Sequence, residues 1–329
     1  MKTNPSDLSL INPSAETLAT APDLLIAFGE FMRLNVAEGD ASPETIRAYH
    51  THVKAFVAWC AAEGKHPTSI GEEDLKEYRA ALAPLYARDS VATKLAAVRR
   101  FYTMLHARGF RADNPAQGLK APKDKTNRAE RIKYLNVPEA ARVIALPDVT
   151  TAQGKRDRAM LSLFIHNGPR VSELAALNVA DVDLERGEIV IRHGKGDKMR
   201  TLLIEPNVIA DVRAWLAVRQ ALAQADAAAL FVTLNHDPRE HGQRMTTRAI
   251  RGLVDRYLLR AKCKRKGVSC HSLRHTFATL ARAAGSQIAD IGDALGHSSY
   301  ETTQVYAKIV DQRANNPARF VAELLGTAQ

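Results

Sequence analysis

The sequence predicts a mainly α-helical protein of two domains, the second of which also contains a small antiparallel β-sheet. A chain of 329 residues is longer than a single hydrophobic core usually organises, so two domains are expected. Apolar residues recur at helical spacing in most of the chain. Between residues 187 and 204, β-branched runs flank the turn Gly-Lys-Gly-Asp, which is the pattern of a β-hairpin.

The first predicted domain, residues 21–113, is a small helical bundle. Ser42 is an N-cap residue, Pro43 suits the first turn of the helix that follows, and Gly64 ends that helix. A later helix of the bundle, predicted to start at Ser90, carries basic residues off its apolar face, among them Lys94, Arg99 and Arg100. Two interpretations weigh equally here: these side chains contact phosphates, or they form an ordinary solvated face.

Two segments are predicted to lie outside the domains. Residues 1–20 are polar, contain two prolines and are expected to form a mobile tail. Residues 114–133 contain six basic and two acidic residues and are interrupted by prolines, so they are predicted to form a basic linker. If both flanking domains bind nucleic acid, Lys123 and Lys125 of the linker are expected to lie near phosphates.

The composition narrows the class of protein. The formal net charge is +10, which favours a polyanionic partner over a merely basic surface. The three cysteines are too few for a disulfide framework, and Cys263, Cys270 and His271 match no zinc pattern, so no metal or other cofactor is expected. The sequence has neither a signal peptide nor an apolar run long enough to span a membrane, which predicts a cytoplasmic protein associated with the nucleoid.

The second predicted domain, residues 134–329, has the groups needed to cleave a phosphodiester reversibly. Such a reaction needs a nucleophile, cations that stabilise charge on phosphorus, an acid for the leaving oxygen and a base. Candidates occur in four segments, at residues 168–174, 194–198, 271–275 and 295–306.

In the first two segments, an arginine and a lysine are the candidates. Arg170 begins a helix, where its guanidinium is able to bind two phosphate oxygens, and Glu173 lies three residues later and is placed to hold it. Lys195 lies at the tip of the hairpin, where glycines leave it free to reach a leaving oxygen. Lys198 and Arg200 are rivals for that role and are also expected to contact DNA, and an ordinary hairpin with a solvated lysine is the alternative.

In the third segment, His271 and Arg274 share one helix face, and histidine exchanges protons near neutral pH. The run just upstream is predicted to contact the DNA backbone or to be a solvated loop; its basic residues are Lys262, Lys264, Arg265 and Lys266. In the fourth segment, His297 follows a glycine that ends a helix. Spacing alone does not choose between Tyr300 and Tyr306 as the nucleophile.

Together these segments resemble the tyrosine recombinase (phage integrase) family. The phrases HSLRHTFAT and LGHSSYETTQVYAK carry the resemblance most specifically, and GKGDKMR carries it less so. The first domain, with SPETIRAYHTHVKAFVAWC and SVATKLAAVRRFYTML, looks like the family's SAM-like core-binding domain, most like Xer-type and simple transposon recombinases. The family's ordered set is matched by Arg170, Lys195, His271, Arg274, His297 and Tyr306.

The resemblance implies a role for each of these residues. Tyr306 would form a 3′-phosphotyrosyl bond, and Arg170 and Arg274 would hold the non-bridging oxygens. Lys195 would be the general acid, His271 would assist proton transfer from the tyrosine, and His297 would donate a hydrogen bond to the phosphate. Pro169 departs from the larger apolar residue that the family often has there, but proline suits the first turn of a helix.

The resemblance also implies partners. Two domains would embrace double-stranded DNA with short inverted-repeat core sites, and a homotetramer, or a heterotetramer with a paralogue, would exchange strands through a Holliday junction without metal or ATP. A terminal helix with Phe320, Val321, Leu324 and Leu325 would dock on a neighbouring protomer, with packing on its own domain as the alternative.

Other classes stay open at this point. Asp181 and Asp183 would begin the acidic cluster of a metal-dependent nuclease or transposase, although a solvated turn explains them better. A DNA-binding regulator without catalysis is a further class, and a type IB topoisomerase shares the chemistry. The biological task is either resolution of chromosome or plasmid dimers, or integration, excision or cointegrate resolution for a mobile element.

Overall fold

A computed structural model describes residues 20–35, 42–122, 128–192, 199–223, 226–234, 237, 239–297 and 300–314. The chain divides into two compact units, residues 1–125 and 126–329. Within the part of the chain that the structure describes, no helix is long and apolar enough to cross a membrane. The domain boundaries predicted at residues 113 and 133 remain predictions.

The first unit is a helical bundle. Its helices are α1 (Ala21–Asn35), α2 (Pro43–Ala62), α3 (Glu72–Leu82) and α4 (Arg88–Ala107). The backbone N–H of Thr45 donates to Ser42 Oγ at 3.2 Å, so Ser42 caps α2 as its sequence indicates. In the core, the ring of Phe56 packs edge-on against Tyr78, Phe101 and Tyr102, with centroids 4.9–6.2 Å apart.

The second unit is mostly helical with one small sheet. Its helices are α5 (Arg128–Arg131), α6 (Val137–Ala145), α7 (Ala152–Asn167), α8 (Val171–Ala176), α9 (Pro206–Arg219), α10 (Thr247–Arg260), α11 (Cys270–Ala283), α12 (Ile288–Leu295) and α13 (Tyr300–Ala314). Its strands are β1 (Val182–Asp183), β2 (Glu188–Ile191) and β3 (Arg200–Leu203). They form an antiparallel sheet in the order β1-β2-β3, with Ile189 opposite Leu202.

One face of the sheet closes the larger core of this unit. Ile189, Ile191 and Leu202 are buried, whereas Leu203, next along β3, is exposed, as the two-residue period of a strand requires. The buried side chains join a core that includes Phe164 of α7 and Trp215 of α9. The prediction of a mainly α fold with a small antiparallel sheet is therefore confirmed.

Two glycines end helices at the point where the candidate residues meet. Gly168 follows α7 with φ +62°, and a Cβ atom there would lie 2.7 Å from Cδ1 of Phe277. Gly296 follows α12 with φ +62°, and its Cβ would lie 2.9 Å from Nη1 of Arg200. Both positions combine a left-handed backbone with no space for a side chain, so both need glycine.

Candidate active site

Arg170 and Glu173 form the first part of the site at the start of α8. The Arg170 backbone N–H donates to Glu173 Oε2 at 2.6 Å, and Arg170 Nη1 donates to Oε1 at 2.7 Å. Arg170 Nη2 also donates to the carbonyl of Gly296 at 3.2 Å. The Arg170 side chain stays 24% exposed, so its guanidinium is held in place and still accessible to an anion.

Arg200 of β3 binds the same carboxylate from the other side. Its Nη1 and Nη2 donate to Glu173 Oε1 and Oε2 at 3.0 and 2.8 Å, and its Nε donates to the carbonyl of Ala294 at 2.9 Å. Burial alone would raise the pKa of Glu173, but hydrogen bonds from Arg200 and the Arg170 backbone N–H lower it to about 2. The carboxylate is therefore ionised at neutral pH and links two arginines.

This geometry changes the interpretation of Arg200. The sequence placed it among DNA contacts and as a rival of Lys195 for the leaving oxygen. In the structure, its side chain is 11% exposed and paired bidentately with Glu173. A guanidinium held in this way fixes the carboxylate of Glu173 and is not positioned to reach a leaving oxygen.

Arg274 of α11 is the most deeply buried of the cations, with 2% exposure. Its Nη1 donates to the carbonyl of Gly168 at 2.8 Å and its Nη2 to the carbonyl of Leu295 at 2.6 Å. Burial and then the positive charge of Arg170 lower the pKa of Arg274 to about 10, so it stays charged at neutral pH. We call Arg170, Arg200 and Arg274 the guanidinium cluster.

The guanidinium cluster carries more positive charge than Glu173 balances, because three guanidiniums face one carboxylate. Beside it lies an open cavity of about 400 Å³, whose lining includes Arg170, Arg274 and His271. A cavity lined by fixed, under-compensated cations favours an anion such as a phosphate. Arg251 and Asp255 of α10 also line this cavity, and the Asp255 carboxylate is paired with Lys264. Sequence reasoning missed Arg251 because nothing in its own segment distinguishes it from a surface arginine.

His271 and His297 both lie near the guanidinium cluster. Desolvation of its ring, followed by the positive charges of Arg274 and Arg170, lowers the pKa of His271. The same two arginines, after burial, lower the pKa of His297 to about 4. His297 Nδ1 lies 2.8 Å from Oγ1 of the buried Thr303, one turn into α13. At neutral pH His297 is therefore uncharged, with a defined partner at one ring nitrogen.

Tyr306 lies on α13 and is 2% exposed. It packs with Ile291, Leu295 and Val305 in a small apolar cluster separate from the larger core of the unit. Its hydroxyl oxygen lies 2.8 Å from Nδ1 of His275. The structure does not describe the side chain of Tyr300, the other candidate nucleophile.

His275 is a site residue that the sequence did not identify. Its ring packs against His271 with centroids 4.5 Å apart, and its centroid lies 5.8 Å from that of Tyr306. Burial, followed by His271, Arg274 and His297, lowers the pKa of His275 to about 4. A signal existed, since His275 is four residues after His271 and shares its helix face. Its partner is 31 residues away, however, which spacing within one helix does not reveal.

Several predicted residues lie outside the described part of the chain. They are Lys195 and Lys198 at the hairpin tip, Lys123 and Lys125 in the linker, and the apolar residues Phe320, Val321, Leu324 and Leu325. Among the others predicted to bind DNA, Arg100, Lys262 and Lys266 are exposed.

The remaining predicted DNA contacts have partners within the protein. Lys94 Nζ lies 4.2 Å from the centroid of the Tyr86 ring, and Arg99 Nη1 donates to the carbonyl of Leu119 at 2.8 Å. Lys264 pairs with Asp255 at 2.6 Å, and Arg265 pairs with Glu139 at 2.7 Å. Contact with a phosphate would have to compete with these interactions.

The acidic residues considered for a metal site also have partners. Asp181 is buried, accepts the Asn178 N–H at 2.8 Å and forms an ion pair with Arg192. Asp183 accepts the backbone N–H groups of Glu185 and Arg186 at 3.0 and 2.9 Å, which closes a turn. Both carboxylates thus have a local structural role.

Comparison with known proteins decides the family. Residues 133–313 match the phage integrase family, and residues 30–109 match the phage integrase N-terminal SAM-like domain. The chain belongs to the phage integrase family of tyrosine recombinases. It is 35% identical over 277 residues to tyrosine recombinase XerC of Myxococcus xanthus, which covers 83% of this chain and 89% of that protein.

Further relatives agree with this assignment. Tyrosine recombinase XerD of Rhizobium meliloti (strain 1021) is 30% identical over 309 residues, covering 89% of this chain and 94% of that protein. The fold is that of XerH site-specific recombinase bound to palindromic difH substrate, with a TM-score of 0.75, 21% identity and coverage of 92% and 97%. The protein is therefore an enzyme, a tyrosine recombinase, and the predicted resemblance is confirmed.

Proposed function

We propose that this recombinase cleaves and rejoins specific DNA sites through a covalent 3′-phosphotyrosine intermediate at Tyr306. The observation that carries the proposal is the convergence of Arg170, Arg274 and His297 on the helix ends next to α13, with His271 in the same cavity. These residues come from separate segments of the chain. Cations in excess of one carboxylate, gathered beside a tyrosine, are typical of a functional site.

The guanidinium cluster supplies the electrostatic part of the reaction. Arg170 and Arg274 bind the non-bridging oxygens of the scissile phosphate, and their backbone and carboxylate partners hold them before the substrate arrives. Donors fixed in advance need no reorganisation as negative charge grows on phosphorus. Glu173 and Arg200 are positioning residues, because they orient Arg170 and do not face the phosphate.

The histidines and Lys195 supply a hydrogen bond to the phosphate and transfer protons. If Thr303 donates to Nδ1 of His297, Nε2–H of that ring is free to donate to the phosphate, as the role of His297 requires. His271 lines the cavity and assists the transfer of the tyrosine proton. Lys195, from a segment outside the described residues, protonates the leaving 5′-oxygen.

Rejoining is the reverse attack by a 5′-hydroxyl of a partner duplex, so strands are exchanged through a Holliday junction. The phosphotyrosyl bond conserves the energy of the phosphodiester, so the reaction needs no ATP. The guanidinium cluster supplies the positive charge at the phosphate, so we expect no requirement for a metal ion. We expect a tetramer on two duplexes with short inverted-repeat core sites, in the cytoplasm where those duplexes lie. Resolution of chromosome or plasmid dimers and recombination of a mobile element both use this chemistry, and sequencing of the trapped DNA distinguishes them.

The experiment traps the intermediate. Host genomic DNA is incubated with the protein, SDS-stable adducts are isolated, and the attached DNA is sequenced to find the target site. A nicked duplex with that site then serves as the substrate, because loss of the small cleaved fragment prevents rejoining. Wild-type protein and the control Tyr134→Phe should form the adduct, with or without EDTA, and Tyr306→Phe should form none.

Each contrary result has a definite meaning. An adduct formed by Tyr306→Phe would exclude Tyr306 as the nucleophile. Inhibition by EDTA would instead support a metal-dependent nuclease. Exchange of strands between two labelled duplexes separates a recombinase from a topoisomerase, which relaxes supercoils without a second duplex. Sequence-specific binding with no adduct from wild-type protein would leave only the non-catalytic regulator.

A further inference from the structure

The contact between His275 and Tyr306 joins a histidine to the nucleophile itself. Nδ1 of His275 lies 2.8 Å from the hydroxyl oxygen of Tyr306, the atom that attacks phosphorus in the proposed function. We propose that His275 is a further catalytic residue, which accepts the phenolic proton of Tyr306 during cleavage and returns it during rejoining. The inference rests on the proposed function and deepens it, because it names where the proton goes.

The two histidines of α11 lie on one helix face but contact different parts of the site. His271 lines the cavity with Arg170 and Arg274, and His275 is not part of that lining. His275 faces Tyr306 of α13 and meets His271 edge-to-face, with ring centroids 4.5 Å apart. The geometry thus gives His271 to the phosphate side and His275 to the nucleophile, so His271 assists proton transfer through its neighbour.

The charge state of His275 suits a proton acceptor. With its pKa lowered to about 4 by burial and then by His271, Arg274 and His297, the ring is neutral at pH 7. A neutral ring with hydrogen on Nε2 offers the Nδ1 lone pair to the tyrosine. The charged and titratable groups around it are His271 and Arg274 of α11, His297 before α13 and Tyr306 of α13.

A bound phosphate is expected to raise the pKa of His275. Its negative charge enters among the same cations that disfavour a proton on His275, and so offsets part of their repulsion. His275 therefore becomes more basic when the scissile phosphate is in place. The same phosphate is the group that Tyr306 attacks, so proton acceptance by His275 is coupled to substrate binding.

Cleavage exchanges one phosphorus–oxygen bond for another and transfers two protons. The bond between the Tyr306 oxygen and phosphorus forms as the bond between phosphorus and the 5′-oxygen breaks. The phenolic proton moves to Nδ1 of His275, and Lys195 gives a proton to the 5′-oxygen. In rejoining, the incoming 5′-hydroxyl returns a proton to Lys195, and the imidazolium of His275 returns its proton to Tyr306.

Two substitutions separate proton acceptance from simple positioning. His275→Asn places an amide near the position of Nδ1, so it retains a hydrogen bond to Tyr306 but takes up no proton. His275→Ala removes both functions. We expect both variants to slow single-turnover adduct formation on the nicked duplex by about 10²–10⁴-fold, the usual contribution of a general base. DNA affinity in a gel shift should be unchanged, and a wild-type rate for His275→Asn would overturn the proposal.

A modified substrate assigns the defect to the nucleophile side. In a duplex with sulfur in place of the scissile 5′-oxygen, the leaving group departs without protonation. Lys195→Ala should recover its cleavage rate on this duplex, and His275→Asn should stay slow. Recovery of His275→Asn would place His275 at the leaving group and would overturn the proposal.

The outcomes keep the two proposals apart. If wild-type protein forms no adduct, the proposed function fails; if it forms one and His275→Asn forms it equally fast, only the inference about His275 fails. Should both variants fail to fold, imidazole ¹⁵N shifts of the unaltered, ¹⁵N-histidine-labelled chain decide. Hydrogen on Nε2 of His275 with Nδ1 unprotonated supports the proposal, and hydrogen on Nδ1 overturns it.

Discussion

The guanidinium cluster and the tyrosine that it serves are supported by different parts of the second unit. The segments that carry the cluster and Glu173 contribute Leu174, Leu202 and Leu273 to the larger core, whereas Tyr306 packs in the smaller cluster between α11, α12 and α13. The cations are also tied to backbone carbonyls of Gly168, Ala294, Leu295 and Gly296. Substitutions in the cluster should therefore affect folding and catalysis together, and substitutions beside α13 should affect catalysis more selectively.

The largest expected effect is that of Glu173→Gln. Removal of this charge leaves Arg170 and the largely buried Arg200 without their carboxylate partner, and breaking a buried ion pair costs about 3–5 kcal/mol. Urea unfolding should show a loss of this size for Glu173→Gln and almost none for Glu185→Gln, whose side chain is 93% exposed. Equal stabilities of the two variants would show that Glu173 does not hold the guanidinium cluster together.

The second effect is a pH dependence that has the same origin. The pKa of Glu173 is about 2 in the folded protein against an ordinary value of 4.5, so its carboxylate stabilises the fold above pH 4.5. That stability, about 3 kcal/mol by the difference between the two pKa values, is lost as the pH falls from 4.5 to 2. Unfolding measured across this range should be steeper for the wild type than for Glu173→Gln. Parallel curves would contradict the assignment.

A smaller effect is expected at Gly168. Alanine there must adopt φ +62° and its Cβ would meet Phe277, and the carbonyl that accepts from Arg274 would shift. We expect a loss of about 2 kcal/mol, since left-handed backbone alone costs 1–2 kcal/mol, together with slower cleavage. The matched control is Gly252→Ala in α10, where the added Cβ has nothing within 4 Å; it should be neutral or slightly stabilising.

The smallest effect lies on the α13 side. Thr303→Val keeps the shape of a buried side chain but removes the oxygen 2.8 Å from His297 Nδ1. Loss of one such hydrogen bond is worth about 1 kcal/mol, or about fivefold in the rate of adduct formation. Thr302→Val on the same helix is the control. An equal decrease in both variants would assign the effect to the helix and not to His297.

The sequence predicted most of the fold because its signals are local. Ser42 with Pro43 marked the start of α2, and the hairpin was visible in the β-branched runs around its turn. The two-residue strand β1 (Val182–Asp183) was missed, since a segment so short has no periodicity. The helix predicted to start at Ser90 begins at Arg88, because apolar spacing locates the middle of a helix better than its ends.

The site residues likewise fall into pairs that are close in sequence and pairs that are distant. Arg170 and Glu173 are three residues apart in one turn, so their pairing was predicted from spacing. Arg200 and Glu173 are 27 residues apart, and His275 and Tyr306 are 31 residues apart. Such pairs depend on how β3 packs beside α8 and how α13 packs beside α11. Spacing within one element contains no information on that packing.

The central claim is that Tyr306 becomes covalently bound to DNA, and mass spectrometry of the trapped adduct tests it most directly. After nuclease and trypsin digestion, the peptide that spans residues 283–308 contains both Tyr300 and Tyr306. Fragmentation of this peptide should place the residual nucleotide on Tyr306. A nucleotide on Tyr300, or on any other residue, would contradict the account.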